Sequence, residues 1–465
     1  MNATADTTNG ASAATQKENQ RATYLKHLLT QASAAADESG LGLKELRDGA
    51  IALVNERTFP HRKTEEWRFT DISEMLNLPF QRAGAADPSV AAESEIQARL
   101  ALNNFALVEG GYRLVSLNGH YVEALSIPGR ADTAPKLPEG AVIAPLSTLV
   151  AHPAYGTLVS QAIAKKIAQV QGGEEVFTAL NTAGFSDVMV VWVRADQVIE
   201  EPIHIARGSK GDRISHLRTL VIVERHAKCT LVESFWGDSE QTRCNNSVTE
   251  FLLEDGAQVA HVRLQDEGAK TFHIAKTAVS QAASSQYRCT AVDLGGQVSR
   301  HHHEIYQAGP QTDTHLYGLS ALGNQQLADT HSLVALNYPH STATQVQKNV
   351  IDDRAHSVFN GKVYVSQEAQ LTDASQLNRN LMLSSKAKVD TKPELDIVAD
   401  NVKCAHGATV SQLQADEVFY LQSRGIAAEQ AQRLLLYGFA MEIIEKIDIK
   451  SLRKNLSDRM TQWAQ

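Results

Sequence analysis

The sequence has few cysteines, and they are far apart. Cys229, Cys244, Cys289 and Cys404 form no CxxC pair, which argues against a zinc knuckle and against a disulfide framework. No apolar run approaches the roughly 18 residues that a membrane helix needs. Phosphate recognition requires clustered Lys and Arg in excess. The formal net charge of -9 over 465 residues therefore argues against nucleic-acid binding.

Common catalytic motifs are also missing. The chain contains no GxxxxGKS or GxxxxGKT phosphate loop, no GxSxG and no HExxH, so nucleotide hydrolysis, serine-hydrolase and zinc-protease chemistry find no support. GGQVS at Gly295 does not match a dinucleotide fingerprint. The first residues show neither an export signal nor a transit-peptide pattern, so we expect a cytoplasmic protein.

The composition, 43% hydrophobic and 21% charged, is typical of a soluble chain with two or three substructures. Residues 1–17 are polar and predict a disordered tail. Residues 18–184 show mainly helical spacing, with one helix ending before Pro60 and another beginning at Thr64. Two alternating runs within Phe105–Gly119 predict a hairpin that turns at Gly110 and Gly111.

Residues 185–413 change character and read as a large all-β region of short β-branched runs. Ala before a short strand recurs in a degenerate repeat, at HAKCTL, GAQVAH, RAHSVF, EAQLTD, KAKVDT and GATVSQ. Because Ala fits a tight corner, the repeat favours a parallel β-solenoid. A sandwich or a barrel is the alternative. Residues 414–465 return to helical periodicity, and their apolar face predicts a small helical domain that docks a partner.

Histidine is concentrated in one part of the β region. Seven of the 17 histidines lie between His301 and His356, and neutral imidazoles are common metal ligands. On a strand, His301 and His303 face one way and His302 the other, so at most two of them act together. They are candidates either for a metal site or for structural positions. DDRA at Asp352 is a candidate acidic patch for a β-solenoid enzyme or, alternatively, a polar turn.

A second candidate site lies near the end of the β region, in the run DNVKCAHGATV. Cys404 and His406 are two residues apart, so on an extended backbone their side chains share a face. A soft thiolate and a borderline imidazole can together bind a metal or sulfur. The alternative is that both are wall residues of the last coil.

Several longer motifs resemble the SufB/SufD family of iron-sulfur cluster assembly proteins. They are TEEWRFTD at Thr64, FTALNTA near Phe177, VFNGKVYV at Val358, AQLTDASQLNRNLMLS at Ala369, KPELDI at Lys392, DNVKCAHGATV at Asp400 and FYLQSRGI at Phe419. The SufB branch typically has Glu-His-Glu-Ala where this chain has Cys404, Ala405, His406 and Gly407. That difference favours the SufD branch, with a SufB-like paralogue as the alternative.

The resemblance implies a scaffold role without catalysis of its own. It implies a right-handed parallel β-helix between helical domains, a complex in which this chain pairs with SufB, and a SufC ATPase on the C-terminal helices. It further implies that Cys404 and His406 lie at the SufB interface, with His406 the expected ligand of a nascent iron-sulfur cluster. Reduced flavin is expected at most at the level of the complex, and a homodimer of the isolated chain is plausible. A stand-alone β-helix enzyme or a histidine-cluster metalloprotein is the competing interpretation.

Overall fold

A parallel β-solenoid forms the centre of the molecule, with helices before and after it. The computed structural model describes residues 6–38, 40–82, 110–126, 140–152, 161–237 and 241–463. Successive strands alternate between two sheets, so that each turn of the chain adds one strand to each sheet. The predicted β-helix core with helical flanks is therefore confirmed.

The strands and helices are numbered here in chain order. The strands are β1 (Gln81–Arg82), β2 (Tyr112–Leu117), β3 (His120–Tyr121), β4 (Ala141–Pro145), β5 (Val188–Val193), β6 (Ile203–Ser209), β7 (Arg213–Val223), β8 (Lys228–Gly237), β9 (Arg243–Leu253), β10 (Gln258–Asp266), β11 (Thr271–Gln281), β12 (Gln286–Asp293), β13 (Val298–Gln307), β14 (Asp313–Leu322), β15 (Leu327–Leu336), β16 (Thr342–Ile351), β17 (His356–Val365), β18 (Asp373–Met382), β19 (Lys388–Ile397) and β20 (Lys403–Ser411). The helices are α1 (Asp6–Glu38), α2 (Lys44–Glu56), α3 (Leu146–Ala151), α4 (Val176–Gly184), α5 (Ala415–Ser423), α6 (Ala428–Ile444) and α7 (Lys450–Trp463), with 3₁₀ turns at Glu65–Trp67, Ser73–Asn77 and Glu123–Leu125. From β5 onward, odd-numbered strands form sheet A and even-numbered strands form sheet B.

Small residues occupy the corners between strands, as the repeat predicts. Ala227, Ala257, Ala355 and Ala369 are fully buried in turns beside the ends of strands. A larger side chain at these positions would meet the neighbouring coil, because interiors are close-packed. GATVSQ is the exception: Gly407 lies within β20, so this copy of the pattern does not mark a corner.

Inward-facing side chains fill the space between the two sheets, which is called the lumen here. One part of the lumen is a continuous apolar cluster that extends from Tyr112 to Ala399 and contacts Cys404. Another part is polar, and its groups hydrogen-bond both between the two sheets and between neighbouring strands of sheet B. Buried polar groups are stable only when they are paired, so the polar part constrains which residues can stack in successive coils.

The N-terminal region differs from the sequence prediction in two places. The prediction of a disordered tail over residues 1–17 was wrong from Asp6 onward, where α1 begins, because Ala, Gln, Lys and Glu favour a helix. The predicted turn at Gly110 and Gly111 stays a prediction, but a second turn, which was not predicted, lies at Asn118 and Gly119 between β2 and β3. Both turn residues have positive φ, +50° and +86°, as a tight two-residue hairpin requires. The first predicted arm, around Phe105, lies outside the described residues.

α4 docks on the outer face of sheet A through a buried ion pair. Arg218 donates to the carboxylate of Glu250, and its other nitrogen donates to Asn181 and Thr182 of α4 at 3.2 Å each. The side chains of Arg218 and Glu250 are only 1% and 3% exposed. Breaking a buried pair leaves an uncompensated charge in a low-dielectric site.

We expect Arg218→Met to lower the free energy of unfolding by about 3–5 kcal/mol, because it leaves Glu250 buried without its cation. Urea denaturation measures the loss. The double variant Arg218→Met with Glu250→Leu is expected to recover most of it, since no unpaired charge remains. A double variant as unstable as the single one would contradict this account.

The C-terminal helices pack on the outer face of sheet B. Lys348 on β16 bonds to Glu442 of α6, and Arg459 of α7 binds Asp266 through two hydrogen bonds. The ring of Phe439 contacts the cationic groups of Lys348 and Arg379, at 4.3 and 5.6 Å from its centroid. These contacts attach α6 and α7 firmly to the solenoid. None of the helices in the described part of the chain has the length and apolar character that crossing a membrane requires.

Candidate functional site

The last strand, β20, carries both residues of the predicted site. β20 pairs in register with β18, which places Cys404 beside Ala374 and His406 beside Gln376. Ala374 and Gln376 are buried, so the matching positions on β20 face the lumen. Cys404 is half-buried against the apolar cluster, whereas His406 is exposed at the end of the solenoid. The expected shared face is present, and a ligand role for either residue stays a prediction.

The thiol of Cys404 is not activated within this chain. Burial raises its pKa above the ordinary value, a backbone hydrogen bond from Ala374 partly opposes this, and the charge of Asp373 raises it further. A protonated thiol is a poor nucleophile and a poor metal ligand. Cys404 would therefore need a metal ion or a cationic group from outside the chain to act as a thiolate.

The last strand is β19 in sheet A and β20 in sheet B. The outer edge of each is not paired with any strand that the structure describes. In β20, Lys403 donates its N–H to Thr372. Because alternate residues point to opposite edges, the N–H groups of Cys404, His406 and Ala408 point to the free edge. Such an edge is a template for another strand.

The free edge of β19 is interrupted. Lys388 donates its N–H to Ala355, the residue before β17, and Val398 donates to Val365, the last residue of β17. Even-numbered N–H groups thus face β17, so Pro393 falls among the positions that face the free edge. Proline has no N–H to donate. Of the two open edges, β20 is therefore the one that can accept a strand along its whole length.

Large apolar side chains are exposed around this open end. Leu371 is 53% exposed, Val410 49%, Val398 48% and Ile397 39%. A cluster of exposed apolar residues beside an unpaired strand is typical of a protein–protein interface.

The lumen beneath the open end is lined by buried carboxamides, which are called the carboxamide ladder here. They are Gln345, Gln347 and Asn349 on β16 and Gln376, Asn378 and Asn380 on β18. Gln376 Nε2 donates to Gln345 Oε1 at 2.9 Å, and Asn349 Nδ2 donates to Asn380 Oδ1 at 2.8 Å. Amides stacked in register form such ladders between adjacent strands. The next strand of sheet B is β20, on which His406 lies beside Gln376.

His301 and His303 lie in the lumen on β13, with ring centroids 5.2 Å apart. His301 Nε2 is 2.9 Å from the Thr277 hydroxyl, and His303 Nε2 is 3.2 Å from the Tyr287 hydroxyl. Burial lowers the pKa of both imidazoles, that of His303 to about 3. Within the described ranges, no three His, Cys, Asp or Glu residues are grouped to hold a metal ion. Both rings occupy hydrogen-bonded core positions.

His302 points to the opposite face, as alternation predicts, and borders a cleft of about 1050 Å³ between sheet A and the N-terminal helices. On the floor of the cleft, Lys276 Nζ donates to Glu304 Oε1 at 2.8 Å. Gly172 covers this pair so closely that a Cβ there would lie 2.4 Å from Lys276 Nζ. Because these charged groups are paired with each other, we interpret the cleft as part of the surface on which the N-terminal helices pack against sheet A.

The Asp352–Arg354 patch is a corner between β16 and β17. Asp353 has a φ of +50°, and its carboxylate accepts the N–H of Asn324 at 2.8 Å. Asp352 accepts the N–H of Asp353 at 2.7 Å. Both acids thus stabilise turns through backbone hydrogen bonds, which is the polar-turn interpretation.

The helix that follows β20 presents a second exposed surface. α5 has no buried residue, and its Phe419 and Tyr420 are 69% and 59% exposed. Leu434 on α6 is 46% exposed. These side chains form an apolar surface beside helices that are firmly attached to the solenoid.

Sequence reasoning missed two polar networks in the lumen. One is the carboxamide ladder, and the other surrounds Glu233, which accepts hydrogen bonds from Thr219 and Thr249 at 2.9–3.0 Å and lies 3.3 Å from His261. Burial lowers the pKa of His261, but the neighbouring Cys289 and Glu233 raise it, and the resulting pKa is about 9. Amides at alternate positions in QVQKN and QLNRN were a signal for the ladder.

Comparison with known proteins covers nearly the whole chain. Residues 204–439 match the SufBD core domain of the SUF system for FeS cluster assembly, and residues 18–205 match the SufBD protein N-terminal region. An iron-sulfur cluster assembly SufBD family protein of Synechocystis is 41% identical over 96% of this chain and 97% of its own length. The chloroplastic protein ABCI7 of Arabidopsis thaliana is 34% identical over 92% and 88%, and SufD of Escherichia coli is 28% identical over 87% and 89%.

Proposed function

This chain belongs to the SufBD family of iron-sulfur cluster assembly proteins, and we propose that it acts there as a scaffold subunit without catalysis of its own. In this proposal β20 pairs with a homologous SufB chain. The cluster is assembled at the junction of the two solenoids, with His406 as a ligand from this side. Cys404 is two residues from that ligand, and its sulfur contacts the iron or sulfide of the cluster once the thiol proton is displaced.

The open end of the solenoid is the observation that carries the proposal. β20 offers nine residues of unpaired edge, Lys403–Ser411, and apolar side chains surround it. A strand from a homologous solenoid would continue sheet B and cover these side chains. His406 would then change from an exposed residue to one enclosed between two chains, where its coordination is completed by the partner.

The C-terminal helices support a second contact, with the SufC ATPase. The exposed side chains of Phe419, Tyr420 and Leu434 offer an apolar surface, and the chain carries no phosphate loop for nucleotide hydrolysis of its own. Because α6 and α7 are attached to sheet B through ion pairs, a movement of bound ATPase subunits would be transmitted to the solenoid and its junction.

His406→Ala in the assembled complex is expected to lower iron and sulfide content by about tenfold or more after anaerobic reconstitution, since losing a ligand costs at least as much as losing an outer-shell partner. Iron and acid-labile sulfide are measured per complex after size-exclusion chromatography. His315→Ala, another strand histidine, is the control and should leave both unchanged. Unchanged iron and sulfide in the His406 variant would remove this residue from the mechanism.

A further inference from the structure

Gln376 is held in one orientation inside the lumen. The residue is 2% exposed, and its Nε2 donates to Gln345 Oε1 at 2.9 Å. Gln345 is fixed in turn by Ser332, whose hydroxyl accepts from Gln345 Nε2 at 2.9 Å. Because the nitrogen end of Gln376 points back along the ladder, its oxygen end points away from Gln345.

Room for this amide is provided by Gly361 on β17. A Cβ at position 361 would lie 2.3 Å from Gln376 Nε2 and 2.6 Å from the Phe359 ring. Real Cβ atoms do not approach other atoms so closely, so any other residue at 361 would displace the carboxamide. Gly361 and Gln376 are thus matched, which indicates a position built for this side chain.

The oxygen of Gln376 has no donor. Among the residues that the structure describes, no N–H or O–H reaches its Oε1, although the atom is buried. A buried acceptor without a partner costs about 1–3 kcal/mol, and each such atom requires an explanation. The register supplies one, because the residue beside Gln376 on the next strand is His406.

We propose that Gln376 is a positioning residue whose carboxamide oxygen accepts a hydrogen bond from a ring N–H of His406. The imidazole is then the last member of the column formed by Gln345, Gln376 and His406: Gln376 donates to Gln345 and accepts from His406. One ring nitrogen carries the bonded proton, and the other presents its lone pair to the junction. Histidine ligands generally donate their second N–H to an acceptor that fixes tautomer and ring orientation.

The inference rests on the proposed function for its purpose, since positioning matters only if His406 is a ligand. The contact itself can be measured without any cluster. Gln376→Met keeps the length of the side chain but removes the acceptor, whereas Gln376→Glu keeps an acceptor. Gln347→Met is the matched control: this amide is equally buried, donates within the lumen, and has Asn378 beside it on the next strand rather than a residue of β20.

The first measurement is the tautomer ratio of His406 in the isolated full chain, from ¹⁵N shifts of labelled histidine assigned by the loss of signal in His406→Ala. In Gln376→Met the ratio is expected to shift about tenfold, which is what one hydrogen bond corresponds to. Gln376→Glu and Gln347→Met should retain the original ratio. Circular dichroism verifies that each variant is folded. An unchanged ratio in folded Gln376→Met would overturn the proposal.

The second measurement separates this inference from the proposed function. Iron and sulfide content in the assembled complex should fall about 10- to 100-fold in Gln376→Met, as for other outer-shell partners of metal-ligating histidines, and should be retained in Gln376→Glu. If His406→Ala loses the cluster while Gln376→Met keeps it, the positioning role is wrong and the ligand role stands. If His406→Ala keeps the cluster, the ligand role is wrong whatever the tautomer ratio.

Discussion

Ala408→Pro is expected to abolish pairing with the homologous chain while leaving the fold of this protein intact. The N–H of Ala408 points to the free edge of β20 and takes no part in the ladder with β18. Proline there removes a donor that the incoming strand requires and places its ring in the path of that strand. Together, an unpaired acceptor in the partner and the steric conflict are expected to weaken association about 100-fold or more.

Pull-down of the partner and isothermal titration measure the loss. Ala408→Val is the matched control, because it adds bulk on the same face but retains the N–H. A second control is proline at Gly407, whose N–H bonds to β18; this variant should destabilise the last coil itself. Unchanged affinity in Ala408→Pro would show that the partner does not pair along β20. If the isolated chain forms a homodimer through the same edge, Ala408→Pro should convert it to a monomer.

The two ends of the solenoid differ in how their last strands pair. At the N-terminal end, β4 and β3 pair antiparallel with β5 and β2 and therefore stop the parallel stacking. At the C-terminal end, β19 and β20 continue the parallel register and then stop. Pro393 interrupts one of the two open edges. In the proposed complex, a homologous strand would therefore add at the C-terminal end, along β20, rather than at both ends.

Much of the fold could be predicted because a solenoid repeats its local rules. Buried corner alanines such as Ala227 and Ala257, and alternation in short β-branched runs, are both visible in the sequence. The helix from Asp6 was not predicted, because its polar composition resembles that of a disordered tail. Gly111 has a packing role that the sequence does not reveal, because a Cβ there would lie 2.3 Å from the carbonyl oxygen of Pro202.

The candidate site was only partly predictable. The spacing of Cys404 and His406 placed them on one face, but spacing alone does not reveal that β20 is the last strand and has a free edge. The role proposed for Gln376 depends on its register with His406 across 30 residues of chain, which no local pattern encodes. His301 and His303 suggested a metal site because imidazoles are ligands, whereas their partners Thr277 and Tyr287 come from other coils.

Lowering the pH from 7 to 5 is expected to destabilise the protein strongly, through histidines that are buried in the neutral form, among them His204, His216, His301 and His303. Burial lowers the pKa of His204 to about 3, that of His216 to about 4 and that of His303 to about 3. In the unfolded chain the same imidazoles titrate near pH 6.5. Between these values the unfolded state binds more protons than the folded state, so stability falls as the pH falls.

The size of the stability loss follows from the difference between the pKa of each imidazole in the folded and in the unfolded chain. At pH 5 His204, His216 and His303 each lower the free energy of unfolding by about 2 kcal/mol relative to neutral pH, or about 6 kcal/mol together. His261 acts in the opposite direction: with a pKa of about 9, it contributes stability that is complete below pH 6.5 and is lost above pH 9. It therefore offsets less than about 1 kcal/mol of the acid effect between pH 7 and pH 5.

The urea midpoint measured at intervals from pH 7 to pH 5 tests this account. His204→Gln removes one of the titrating groups while retaining a donor for Ser234, which lies 2.7 Å from His204 Nε2. The loss of stability between pH 7 and pH 5 should then be smaller by about 2 kcal/mol, which is the contribution of one such group. His340→Asn, at an exposed position with a φ of +63°, should leave the dependence unchanged. A midpoint that does not move between pH 7 and pH 5 would mean that these imidazoles titrate as they do in water, and hence that the core admits their charge.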